Sequence, residues 1–154
     1  MKLQFQGHDY QYAVEQSLLA LFPQERPLYD PIAPEDRSWA QVTLIPEGPV
    51  WTARTLLRHG EKEAEGVSGE TIPEDCGVYE AEREKQKIVK LSFFQAARAV
   101  TGVTPPWGAL TGIRPGKLAA RFLEEGRSEQ ETDRILRDTY FVSPQRRRMC
   151  IETA

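Results

Sequence analysis

The sequence predicts an α+β fold, a small antiparallel or mixed sheet in the order strand–helix–strand–strand followed by a helical appendage. Three observations carry this reading. Residues 39–45 and 50–58 are rich in Val, Thr, Trp, Leu and Ile and flank Pro46-Glu47-Gly48-Pro49, which has the chemistry of a hairpin turn. Apolar residues recur at helical spacing from Tyr10 to Phe22 and again from Ile88 to Val100. Three short amphipathic stretches with start and stop signals then close the chain.

Taken in order, residues 3–6 alternate and form the first strand, and Asp9 is placed to cap the helix that follows. That helix turns Tyr10, Val14, Leu18, Leu19, Leu21 and Phe22 to one side and stops at Pro23. Four prolines, at 23, 27, 31 and 34, make residues 23–38 an extended connection, ordered where Leu28, Tyr29 and Ile32 dock. In the hairpin, Ala40, Val42 and Leu44 face Trp51, Ala53 and Leu57, which leaves Arg54 and Arg58 wet. Residues 60–77 are acidic and glycine-rich, and read as a mobile, solvated loop. A long helix starts near Val78 with a polar half laced by charges at i,i+4 (Glu80 and Glu84 against Arg83 and Lys87). Its second half carries Ile88, Val89, Leu91, Phe93, Phe94, Ala96, Ala97 and Val100, must pack, and ends at Gly102. Pro115 suits the first turn of the next helix, which Gly126 closes. Ser128 to Glu131 is a capping box, and Ser143-Pro144 opens the last helix. The division expected is a small α+β domain over 1–104, then a signature segment and helical linker over 105–154.

Composition narrows the function. The chain is 40% hydrophobic and 28% charged, ordinary for a globular protein. It has no apolar run long enough to span a membrane and no secretory leader, and two cysteines without export signals suit reduced thiols in the cytoplasm. Residues 1–104 hold 11 Lys and Arg against 16 Asp and Glu, a balance of −5; residues 105–154 hold 9 against 7, a balance of +2. The basic third peaks at Arg146-Arg147-Arg148, without the interleaved aromatics of an RNA-binding surface, so nucleic acid is not the expected partner.

The most informative stretch is Pro105-Pro-Trp-Gly-Ala-Leu-Thr-Gly-Ile-Arg-Pro-Gly-Lys117. It holds three prolines and three glycines in thirteen residues, a composition that specifies a shape. Its end falls one residue short of a phosphate-binding G-x4-G-K-[ST] loop. Leu118 stands where that loop needs a hydroxyl, and Pro115 removes an N–H. Thr111, Arg114 and Lys117 nonetheless stand at a helix amino terminus, where a carboxylate or phosphate is favoured. The alternative is structural: Arg114 bonds neighbouring carbonyls and Trp107 fills the core.

Trp107-Gly108, Leu110-Thr111-Gly112-Ile113-Arg114-Pro115 and Lys117 together resemble the amino-terminal signature of HemZ-type coproporphyrinogen dehydrogenases. These are radical S-adenosylmethionine (SAM) proteins related to oxygen-independent coproporphyrinogen III oxidases. The resemblance implies a parent enzyme that decarboxylates two propionates of coproporphyrinogen III to vinyls in haem biosynthesis, using SAM and a [4Fe–4S] cluster. Such a cluster needs a cysteine triad, and this chain has only Cys76 and Cys150. The chain itself is therefore expected to bind no cofactor and no metal and to do no catalysis. Its expected partner is a carboxy-terminal radical SAM core of the same polypeptide. Trp107, Thr111, Gly112, Arg114 and Lys117 would meet that core, tetrapyrrole carboxylates or SAM, the interdomain contact being preferred. Two alternatives stay open: part of a haem chaperone, and a binding module for RNA or a protein partner. His8 and His59 each lack a second ligand at i+3 or i+4 and read as exposed or locally bonded. Ser128 and Ser143 have no histidine near them in sequence and read as caps.

Overall fold

The computed structural model describes residues 1–110 and 114–154, and the chain divides into two compact units, Met1–Val103 and Thr104–Ala154. The first is a four-stranded mixed sheet with two helices, so the α+β class stands.

Strands β1 (Lys2–Gln6), β2 (Ser38–Glu47), β3 (Val50–His59) and β4 (Lys62–Thr71) lie side by side in that order. β1 runs parallel to β2, and the other pairs are antiparallel. Between β1 and β2 the chain forms helix α1 (Gln11–Leu21), and after β4 helix α2 (Val78–Thr101). The hairpin register sets Ala40 opposite Leu57, Val42 opposite Thr55 and Leu44 opposite Ala53, and all six side chains are buried. Val14, Leu18 and Leu21 of α1 and Ile88, Val89, Phe93 and Ala96 of α2 complete the buried layer. Each large apolar side chain so buried contributes about 1.5–3 kcal/mol. Leu28, from the proline-rich connection, bonds both ways along the outer edge of β1, with Leu3 and Met1.

β4 corrects the sequence reading, because it occupies the stretch assigned to a mobile loop. Its inward positions are Ala64, Gly66 and Ser68, which carry almost no apolar signal. The reason is the helix above it. A Cβ on Gly66 would lie 2.0 Å from the carbonyl oxygen of Ser92, so α2 crosses where β4 has no side chain. The Ser92 and Thr55 hydroxyls bond at 2.9 Å nearby, and the Gln95 carboxamide accepts the outward N–H of Val67 at 3.1 Å.

A second correction concerns the start of α1. Asp9 does not cap it through its side chain; the N-cap is Tyr10, whose own N–H donates to His8 Nδ1 at 3.1 Å. The charges on the first half of α2 also settle differently from their expected spacing. Lys85 pairs with Glu82 and Lys87 with Glu84, each at i,i+3, and Lys87 also reaches Glu70 of β4. The helix ends as expected at Gly102, in the left-handed region at φ 70°.

The second unit holds α3 (Pro115–Glu124), α4 (Glu129–Asp138) and α5 (Pro144–Glu152), each packing on the other two. Ser128 accepts the N–H of Glu131 at 3.0 Å, and Ser143 that of Arg146 at 3.3 Å, so both are the caps expected. Gly126, at φ 91°, closes α3 while Arg127 N–H returns to the Phe122 carbonyl. Leu118, Ala119, Phe122, Leu136, Val142 and Cys150 are buried within this small bundle. Among the described residues, no helix is long and apolar enough to cross a membrane.

Candidate functional site

Among the described residues, the two flanks of the Pro105–Lys117 segment meet the two ends of one helix. At the start of α5, the Pro106 carbonyl accepts the N–H of Ser143 at 2.9 Å, and Ala109 N–H donates to the Tyr140 carbonyl at 2.7 Å. Gly108 adopts φ 58° between these bonds. A Cβ on it would stand 2.0 Å from the Tyr140 oxygen and 2.5 Å from Phe141. Phe141 also has a positive φ, 58°, so two left-handed residues interlock at the corner between α4 and α5. Trp107, on this turn, is half-buried, and the Arg146 guanidinium lies over its ring at 5.3 Å.

At the other end of α5, Gly116 sits beside the Thr153 hydroxyl, 3.7 Å from where its Cβ would be. Arg114, the exposed N-cap of α3, makes no side-chain cap bond; its carbonyl accepts the N–H of Leu118. Lys117 is exposed one turn on. Neither cation has a carboxylate within ion-pair distance among the described residues. α5 spans nine residues, about 13 Å at the rise of an α-helix, so Trp107 and Gly116 lie towards its opposite ends. Thr111 and Gly112 lie outside the described residues.

Arg146-Arg147-Arg148 is not a uniform basic patch. Arg146 covers Trp107. Arg147 is nearly buried, donating to Asp133 at 2.9 Å and to the Val142 carbonyl at 2.8 Å. Arg148 is exposed, with no carboxylate partner among the described residues. The triplet thus chiefly fastens α5 to Trp107 and to α4.

No protein-family model matches the chain. A 63-residue stretch is 33% identical to the oxygen-independent coproporphyrinogen-III oxidase-like protein HemZ of Bacillus subtilis (strain 168). That stretch is 41% of this chain and 13% of HemZ, so the likeness spans a small part of a much longer protein. Among solved structures, protein VC0702 from Vibrio cholerae aligns over 54% of this chain and 69% of its own. It does so at 13% identity and a TM-score of 0.35, and no conclusion rests on it.

The residues do not fit an iron–sulfur cluster. Cys76 is in the first unit, where its thiol donates to Glu80 at 3.6 Å, and burial with the Glu80 carboxylate raises its pKa. Cys150 is in the second unit, buried, with its thiol also pushed up by burial. Two thiols cannot replace the three thiolates such a cluster needs. Among the described residues, no three His, Cys, Asp or Glu side chains converge as metal ligands.

Both histidines are locally bonded. His59 packs on Phe22 at 4.7 Å and bonds Glu25, which also accepts from Ser38 and the terminal ammonium. His8 bonds to Val42 and Tyr10. Lys90 was hidden in the apolar half of α2: it is buried there, and burial lowers its ammonium to about 8. A lone lysine within a helical apolar stripe reads from sequence as a solvent-facing interruption, so no pattern marks it.

Proposed function

We propose that this chain is an amino-terminal, non-catalytic part of an oxygen-independent coproporphyrinogen III oxidase-like protein. The observation that carries the reading is the 33% identity to HemZ over 63 residues. The parent would take two propionates of a tetrapyrrole to vinyls, on a radical SAM core that lies in the same polypeptide and holds the SAM and the [4Fe–4S] cluster. With two thiols that cannot form a cluster, this chain would contribute no step of that chemistry. Its part is to dock on the core and close one side of the substrate cavity. Arg114 and Lys117 are the residues for this contact, since both are exposed cations at a helix amino terminus, a place that favours carboxylates. Trp107, bound into the corner of its own unit, supports their placement. Two unpaired thiols suit a cytoplasmic protein. The RNA-binding alternative has less support, because two arginines of the basic triplet are engaged inside the second unit.

The reading frame beyond the codon for Ala154 tests this directly. A C-x3-C-x2-C triad is expected there, and a termination codon in that place would sink the proposal. With the triad present, Arg114→Glu/Lys117→Glu in the parent should lower tetrapyrrole turnover roughly tenfold or more with the fold retained, since each reversed contact is worth about 1 kcal/mol or more. Unchanged turnover would remove these two residues from the contact.

A further inference from the structure

The neutral form of His8 is built into the start of α1. Its Nε2–H donates to the Val42 carbonyl of β2 at 3.0 Å, while its Nδ1 accepts the backbone N–H of Tyr10 at 3.1 Å. A carbonyl only accepts and an amide N–H only donates. Both bonds therefore coexist only in the neutral Nε2–H tautomer. No side chain of the N-cap residue itself caps α1, so His8 holds the chain just where the helix begins. The ring packs near Phe5, at 4.9 Å, and stacks with Tyr10, at 5.3 Å. Tyr10 in turn ties this corner to α2, its hydroxyl donating to Glu82.

The charged groups facing this corner are few. Asp9 is adjacent in the chain and favours the imidazolium. Glu82 of α2 is held at the far end of the Tyr10 ring, and Glu15 of α1 is taken by the hydroxyl of Tyr29, whose ring meets Phe5. β2 presents the Val42 carbonyl. Burial outweighs Val42 and Asp9 together and holds the His8 pKa below that of an ordinary histidine.

We propose that His8 is a proton-operated latch on the amino terminus of α1, closed when neutral and opened by protonation at Nδ1. The added proton sets Nδ1–H against the Tyr10 N–H, two donors with no acceptor between them. The bond to Val42 survives, and the bond to Tyr10 does not. The release is local, since Val14, Leu18 and Leu21 keep the rest of the helix on the core. It reaches the surface through Tyr10, which with Asp9, Tyr12, Glu15 and Gln86 lines an open cleft. Opening the latch moves one wall of that cleft.

Nitrogen-detected NMR of the whole chain between pH 7.5 and 5 tests this. His8 should show the Nε2–H pattern at pH 7.5 and titrate with a midpoint below about 6.5, the ordinary histidine value. The Tyr10 amide should shift with the same midpoint, and its opening for hydrogen exchange should rise at least threefold relative to Leu18. His8→Asn keeps an acceptor near the Nδ1 position but cannot take the proton, so its Tyr10 amide should stay insensitive to pH. A Tyr10 amide that ignores the His8 titration in the unmodified chain overturns the latch, as does an Nδ1–H pattern at neutral pH. Both readouts stand even if the variant fails to fold.

Discussion

Gly66 and Ser92 touch backbone to backbone: a Cβ on the glycine would stand 2.0 Å from the serine carbonyl oxygen and 2.9 Å from the Ala96 nitrogen. α2 can therefore lie on β4 only while position 66 has no side chain. Gly66→Ala should destabilise the first unit by about 2–3 kcal/mol, the range for forced overpacking against backbone that cannot yield. Urea unfolding would show a lower midpoint with little change in slope. Gly69→Ala, whose nearest neighbour would be at 3.4 Å, is the matched control and should change stability by less than about 1 kcal/mol. Equal losses in the two variants would show that strand glycine in general is at issue, and not this approach.

Gly108 shares the close carbonyl with Gly66 and adds a positive φ. Gly108→Ala should lose about 3 kcal/mol, adding left-handed strain to overpacking. Hydrogen exchange should speed up in α4 and α5 while amides of the sheet keep their protection. Uniform exchange across the sheet and bundle would contradict the assignment.

The three adjacent arginines should separate on mutation. Arg147→Ala removes a nearly buried guanidinium from Asp133 and the Val142 carbonyl and should cost about 1.5–3 kcal/mol. Arg146→Ala uncovers Trp107 and should cost about 0.5–1 kcal/mol, with a shift in tryptophan fluorescence. Arg148→Ala should be neutral within about 0.5 kcal/mol. Thermal melts of the three variants, run side by side, decide it.

Acid should weaken the first unit through Glu25. Burial alone would raise its carboxyl, but bonds from the terminal ammonium, Ser38 and His59 together hold it below its usual value of 4.5. A carboxyl with a depressed folded pKa stabilises above its unfolded value and loses that contribution as pH falls through the folded one. Stability of the native chain should therefore drop as pH falls below about 4.5, and Glu25→Gln should flatten that limb. Parallel acid limbs in the two proteins would place the sensitivity in another carboxyl.

Local chemistry was legible in the sequence, and close approach was not. Ser128, Ser143, Gly102 and Gly126 announce helix ends because capping involves only a few successive residues. The hairpin was legible in its turn and in most of its facing residues, since alternation fixes the faces. Thr55, buried opposite Val42, was passed over for its hydroxyl, and Arg58 is half-buried where it was expected wet. β4 was hidden because α2 crosses above Gly66, and a glycine chosen for proximity looks like a glycine chosen for flexibility. Asp9 was the better cap by composition, yet His8 won the Tyr10 N–H because β2 holds its ring from the other side. The segment from Pro105 to Lys117 showed a specified shape, but its partner, the corner at Tyr140 and Phe141, comes some thirty residues later and leaves no local mark.

The grip of that segment on both ends of α5 has a consequence for how its motif is read. Pro106 meets Ser143 at the start of the helix, and Gly116 meets Thr153 at its end, so these two positions gauge a length of about two and a half turns. Related chains that lengthen α5 by one turn would need a matching change between positions 106 and 116. The two lengths should therefore vary together.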